Sequence, residues 1–337
     1  METVLFLAHT EADGSLGKTA LEALAAAQSL GGTLTAGLVG ASVAQAANAI
    51  AGCGAARILG VSGDAFAEAR YATDAAAAEA LCRAAGATVV VAPSTSRWAR
   101  VLPGVAHRLG GVVDTHVTGI EADGNGPAAT RWYYRQRMEG VLSRAKRPWI
   151  LLVESGCRPA WSGAAGSANV EAVPVTLPEL RTNVSGVRAP KADEQTIRPE
   201  ADLLLVAGAG WTKKQADGQP HVEDAQRLIL GLLRATKGSL GGTKSLVDLS
   251  GEGQAVLTCM SHLNQVGQTG STPRHPKGLS TCCHGEEPHV VGWRFINERR
   301  AINLDPTCGW ARGKADVLYV ADAFAVAEKL TALLEGR

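Results

Sequence analysis

Apolar residues in the first half of the chain fall into short unbroken runs, separated by stretches in which Leu and Ala recur at helical spacing. Thr3–His9 (TVLFLAH) reads as a buried strand, and LGKTALEALAAAQSLGG fits a helix that ends at Gly31–Gly32. TLTAGLVG follows as a second strand, ASVAQAANAIAG as a second helix and ARILGV as a third strand. Ala75–Ala85 is a strong helix former. Ala87–Ser94 (ATVVVAPS) is the β-branched run expected of a strand buried on both faces, and RWARVLPGVAHRL is the helix after it. This βαβα rhythm predicts a mostly parallel, doubly wound sheet. From Thr115 to Val153 the texture changes: THVTGIEA, ATRWYYRQ, GVLSRA and PWILLVE read as successive strands with Gly-rich or basic turns, so the sheet should finish as a mixed one.

Between about Cys157 and Ala201 no period persists, and Gly, Pro, Ser and charged residues dominate, as in an extended connection between domains. A second βα series then begins. ADLLLVAGAG is a strand running into a glycine turn, and HVEDAQRLILGLLRATKG is an amphipathic helix closing at Gly238. SLGGTKSLVDL, GLSTCC, HVVGW, RRAINLD and ADVLYVAD supply further strand or turn pieces before a terminal helix, AFAVAEKLTALLEGR. The pattern predicts an α/β protein of two domains: residues 1–195, an N-terminal α/β domain plus linker, and residues 196–337. No internal repeat is evident.

Composition agrees. The 337 residues suffice for two α/β domains, and abundant Ala and Gly with only 4% aromatics suit helices laid on parallel sheets. Lys plus Arg is 33 against 32 for Asp plus Glu, so no global field draws the chain to nucleic acid or an anionic membrane. No apolar run approaches the roughly 20 residues of a membrane span. The N-terminal stretch reads as a first strand and not a signal peptide. The expected compartment is cytoplasmic, where thiols stay reduced and the seven cysteines are not disulfides.

The candidate chemistry lies in the second half. Asn264–Gly270 reads NQVGQTG, in which glycines flank a polar Gln-Thr and let backbone amides approach a ligand. Upstream are VAGAGW after a strand, with Gly210, and GGTKSLVD (Gly241–Asp248). Downstream are His289 on HVVGW, AINLDP (Ala301–Pro306) and VAD (Val320–Asp322). This ordered set resembles the FAD-binding domain of the electron transfer flavoprotein alpha subunits, whose pieces read approximately GGRG, GASRxxVD, QVGQTG, GxIQH, AINxDP and VAD. VVVAPSTSRWARVLPGVAHRL in the first domain is similar to that family's strand-Ala-Pro-x-Thr-Ser-helix passage. The resemblance covers almost the whole chain except parts of the linker.

The resemblance implies an adenine-nucleotide-hydrolase-like, doubly wound first domain that contacts a smaller beta subunit, and a doubly wound second domain that cradles FAD. Thr269 would offer its hydroxyl to flavin N5. Gln268 and Gly270 would line the ring and ribityl chain behind Gln265, Val266 and Gly267. His289 would donate to the C2 carbonyl, and Asn303 and Asp322 would hold the adenosine half. Thr243 and Lys244 stand where the family usually has Ser-Arg beside the isoalloxazine, and His284 stands for a serine, before Gly285. Donors and a cation aimed at the ring would raise the flavin's potential. Lysine for arginine keeps the charge but loses the planar fork. The implied function is electron carriage, from flavin-dependent dehydrogenases or demethylases to a quinone reductase or similar acceptor. No chemical substrate is implied. AMP is implied in the beta subunit of the heterodimer.

Taken singly, these pieces have plainer readings. Gly-x-Thr-Gly is a common turn, His289 a packed or surface histidine, and Asp322 a helix N-cap that could serve as cap and ligand together. Trp132, Tyr133 and Tyr134 read as strand packing. Lys213 and Lys214, after the Gly208–Gly210 turn, suit a solvated turn as well as a phosphate. Only joint order and spacing favour the flavin site. The competing functions are an adenine-nucleotide-using enzyme, with Ser94–Ser96 after a strand near phosphate, and a scaffold subunit whose flavin site has decayed, for which His284 and Lys244 speak. The first lacks a P-loop and an evident catalytic carboxylate or metal set.

Four cysteines depart from the family pattern: Cys259, Cys282, Cys283 and Cys308. In a doubly wound domain they would follow strands on the ligand side. They could hold an iron–sulfur cluster of the [4Fe-4S] type, or zinc with His284 or His262, or simply pack as small hydrophobes.

Overall fold

The computed structural model describes residues 2–123, 126–133, 138–186, 197–198, 201–248, 256–266, 275–281, 296–308, 311–312 and 315–336. The chain divides into two compact units, Met1–Val187 and Arg188–Arg337.

In the first unit, β1 (Thr3–His9), β2 (Thr33–Gly40), β3 (Arg57–Ser62) and β4 (Val89–Pro93) alternate with helices α1 (Lys18–Gln28), α2 (Ala44–Ala49) and α3 (Tyr71–Ala85). Helix α4 (Ser96–Arg108) leads to β5 (Val112–Asp123), β6 (Gly126–Tyr133), β7 (Met138–Leu142) and β8 (Trp149–Val153). β1 shows why these runs are continuously apolar. Val4, Phe6 and Ala8 pack with α1 and α2, while Leu5 and Leu7 pack on the other face with α3 and α4. A parallel strand covered on both faces has no position that favours water. Alanines at 20, 23, 26, 46 and 47 are fully or nearly fully buried, so the helices can lie close to the sheet. Gly86 ends α3 with φ 59°, the left-handed conformation glycine adopts without strain.

The nine strands run β7-β6-β5-β8-β4-β1-β2-β3-β9. Pairing is parallel from β5 onward and antiparallel at β5–β6 and β6–β7, so the sheet is mixed as its sequence suggests. The ninth strand, β9 (Val170–Ala172), lies in what reads as a connection. It pairs in parallel with β3 at the far edge, where Arg57 and Glu171 form an exposed ion pair. The segment before it is laced to the unit: Trp161 N–H donates to Leu21, the Gly52 N–H to Ala164, and the Gly166 N–H to Asn48. Cys157, Trp161, Ala168 and Val170 pack on one core, and Val173, Val175 and Leu177 on the other. This stretch is therefore a strap on the first unit for much of its length.

The second unit carries β10 (Leu203–Ala207), β11 (Ser239–Gly242), β12 (His275–Thr281), β13 (Ile296–Asn303) and β14 (Val317–Val320) in the order β11-β10-β12-β13-β14, all parallel. Helices α5 (Val222–Thr236) and α7 (Ala323–Glu335) pack with Leu205, Ala207 and Ile302 on one face; α6 (Lys244–Asp248) is a single short turn. Leu204, Val206 and Ala301 face the other way, with Ile197, Val266, Ile296, Cys308 and Ala311. Both sheets are α/β and doubly wound. Among the described residues no helix is long and apolar enough to cross a membrane.

Candidate cofactor site

Because β10–β14 are parallel, their carboxyl ends share one edge. Chain order runs from β10 out to β11, then back past β10 to β12, β13 and β14. The connections therefore diverge between β10 and β12, which makes the carboxyl ends of those two strands the topological switch point, where open α/β sheets bind their ligands.

β10 ends in a buried 3₁₀ turn, Ala209–Thr212. The Gly208 N–H donates to the Thr281 carbonyl at 2.8 Å, and the Gly210 carbonyl accepts from Gln215 Nε2 at 3.0 Å. After β11 the buried Thr243 donates its N–H to Ala207 and caps α6, its Oγ1 accepting from the Leu246 N–H at 3.4 Å. Lys244 is the first residue of α6 and is exposed.

The NQVGQTG motif starts from the same edge. Gln265 bridges Gly242 in parallel, and the Val266 N–H donates to the Gly242 carbonyl at 3.0 Å. Asn264 is held on both sides: Nδ2 donates to the Leu240 carbonyl, and Oδ1 accepts from the Ser261 N–H. The glycines of β11 make this approach feasible. A Cβ on Gly241 would meet Val266 Cγ2 at 2.5 Å, and one on Gly242 would crowd Met260 Cε.

At the end of β13, Asn303 is 4% exposed. Its Oδ1 accepts from the Asp305 N–H at 3.0 Å, while Nδ2 has no acceptor among the described residues. Asp305 in turn holds Thr307 by its N–H and hydroxyl, and these bonds keep its carboxyl below the usual range. After β14 the exposed Asp322 caps α7, accepting from the N–H groups of Phe324 and Ala325 at 3.2 and 3.4 Å.

Gly210, Thr243, Lys244, Gln265, Val266, Asn303 and Asp322 thus stand along one edge. Gly267, Gln268, Thr269, Gly270, His284, Gly285 and His289 lie outside the described residues, as do Cys282 and Cys283. The sequence reading missed Trp211, whose only signal was a tryptophan directly after a glycine turn. Its Nε1 donates to Thr281 Oγ1 at 2.8 Å, and its ring lies 4.6 Å from that of Phe324.

The cysteines that are described do not come together. Cys308 is buried in the core on the Leu204 and Val206 face, whereas Cys259 packs against the core on the Leu205 and Ala207 face. Burial pushes the Cys259 thiol up. Among the described residues no group of three or more His, Cys, Asp or Glu could hold a metal ion.

The carboxyl edge of the first sheet carries internal bonds at Ser94 and Thr95. Ser94 Oγ donates to Glu154, and Thr95 Oγ1 caps α4 while lying 3.2 Å from His9 Nε2. Burial, then Arg97, hold the His9 imidazole below its ordinary value. Trp132 donates to Glu139, and the Arg131 guanidinium lies over the Tyr133 ring, in keeping with strand packing.

A family model described as the electron transfer flavoprotein domain matches residues 4–178. No curated protein matches the chain. The match spans more than half of the sequence, and the chain belongs to this family.

Proposed function

We propose that this member of the electron transfer flavoprotein family is the alpha subunit of a heterodimeric electron carrier, and that its second unit holds FAD along the carboxyl edge of β10–β14. The family's proteins are electron carriers and generally bind flavin. The alpha-subunit role and the placement of FAD go further and rest on the second unit.

One observation carries the placement. Asn303 keeps a buried amide donor, without an acceptor among the described residues, at a strand end. A buried unpartnered donor costs about 1–3 kcal/mol, which a ligand oxygen or ring nitrogen would offset. The donor set around it fits a dinucleotide. Asp322 accepts two backbone N–H bonds and, being exposed, keeps lone pairs for sugar hydroxyls. Lys244 supplies a cation on the opposite side of the crevice, where a flavin ring would gather negative charge on reduction.

When bound, FAD would supply a centre that takes electrons from a donor and releases them to an acceptor. The chain's own residues bind and tune. Asn303 and Asp322 would hold the adenosine half, and Thr243, Lys244, Gln265, Val266 and Gly267 would serve the ring side. By family resemblance, Gln268 and Gly270 would line the ring and ribityl chain, and Thr269 and His289 would donate to it. The donors are flavin-dependent dehydrogenases or demethylases, the acceptor is a quinone reductase or similar protein, and the partner is a beta subunit that carries AMP. No proton transfer to a substrate is asked of any residue.

The test is affinity purification of the tagged chain from its native host, with identification of bound small molecules and co-purifying chains. FAD and a smaller family member at equal stoichiometry support the reading. A colourless protein that hydrolyses ATP supports a nucleotide-using enzyme, and a colourless inert one supports a scaffold.

A further inference from the structure

We propose that Trp211 is a positioning residue that sets the spacing between the two halves of the crevice, so that the site prefers a linked dinucleotide to either half alone. The inference rests on the FAD reading above. Trp211 belongs to the turn after β10, next to Gly210, and is 1% exposed. Its indole N–H donates to Thr281 Oγ1 at 2.8 Å, at the last residue of β12. Its ring meets Phe324 at 4.6 Å with the planes tilted by 48°. Phe324 is in the first turn of α7 and donates its N–H to the capping carboxylate of Asp322.

One side chain therefore touches the turn that bears Gly210, the end of β12, and the helix start fixed by Asp322. β10 and β12 are the strands that flank the topological switch point, where the proposed crevice lies. The Thr281 hydroxyl donates in turn to the Val206 carbonyl at 3.4 Å, which aims a lone pair at the indole. The bond is directional and buried. Losing its acceptor leaves an indole N–H unpaired and leaves the turn tied to β12 by the backbone bond from Gly208 to Thr281 alone.

The ligand consequence follows from linkage. A dinucleotide gains from binding its two halves together only if their sites stand at the spacing its own bonds allow. Loosening the spacing therefore weakens FAD while leaving FMN and ADP, which report each half separately, as they were.

The experiment titrates FAD, FMN and ADP into the full-length chain, with any co-purifying subunit, after removal of bound flavin. Wild type is compared with Thr281→Val, Thr281→Ser and Trp211→Phe. The expected result is about a tenfold loss of FAD affinity in Thr281→Val and Trp211→Phe. FMN and ADP affinities stay unchanged, and Thr281→Ser, which keeps the hydroxyl, matches wild type. Parallel losses of all three ligands, wild-type FAD affinity in the Val and Phe variants, or a Ser variant as weak as Val would each overturn the positioning role. A wild-type protein that binds no FAD would overturn the reading of the site as well. If Thr281→Val does not fold, Trp211→Phe alone carries the test.

Discussion

The side-chain oxygen of Asn303 accepts the Asp305 N–H at 3.0 Å, while its side-chain nitrogen is buried without an acceptor among the described residues. The oxygen shapes the turn after β13, and the nitrogen is left for something else. Asn303→Ala removes both. The apoprotein loses one turn bond but also one unpartnered donor, so its melting temperature should stay close to wild type. FAD affinity should fall by a factor of about ten to a hundred. Fluorescence titration beside a thermal melt checks this; a variant that binds FAD like wild type would remove Asn303 from the site.

Lys244 opens α6 directly after the buried Thr243. If it faces the flavin ring, Lys244→Gln withdraws a positive charge and disfavours the reduced form. The midpoint potential should drop by on the order of 50 mV, and Lys244→Arg should restore it. Spectroelectrochemical titration reads both, and an unmoved potential in the Gln variant would place the lysine elsewhere.

In the first unit Asp114, 2% exposed, accepts from Arg131, Arg144 and the Trp149 indole N–H. Burial pushes its carboxyl up, but the bonds from Arg144, Trp149 and Arg131 more than offset this and hold it below the usual carboxylate range. A depressed folded-state value means stability that is present above the unfolded value and lost as pH falls through the folded one. Asp114→Asn should cost about 2–3 kcal/mol at neutral pH, less than a fully buried pair because Arg144 is half-exposed. It should also flatten the acid side of the stability profile. Melts across pH follow this, and equal melting of variant and wild type at neutral pH would contradict it.

The thiol arrangement yields a further expectation. Cys259 and Cys308 pack on opposite faces of the second sheet, so they should not ligate one ion together. Elemental analysis of Cys259→Ser and Cys308→Ala should return the iron and zinc content of the wild type. A stoichiometric loss of metal in both variants would show a shared centre.

What the sequence disclosed follows from how each element is stabilised. β1 and β2 were legible to the residue because both faces are covered and the apolar run is unbroken. β9 was not, since its three residues sit among Gly, Ser and Pro and gain their pairing from β3, far away in the chain. In α5 the left-handed terminal residue is Lys237, with φ 52°, one position before the expected Gly238. Gly238 stands in a tight place: a Cβ there would lie 3.2 Å from the Leu203 carbonyl. At the site, AINLDP, VAD and GGTK announced positions on one edge because they follow strands. Trp211 and Thr281 carry no pattern of their own, and only the pairing of β10 with β12 brings them together. The cap role expected of Asp322 is present in its two backbone bonds.

The central claim is where the flavin sits, and hydrogen exchange of the full-length protein with and without added FAD tests it most directly. FAD should slow exchange at residues 208–212, 243–247, 303–308 and 321–325, the carboxyl edge of the second sheet. Residues 201–203, 239–240 and 296–298, at its amino edge, should be unchanged. Protection confined to the amino edge, or to the first unit alone, would contradict the account.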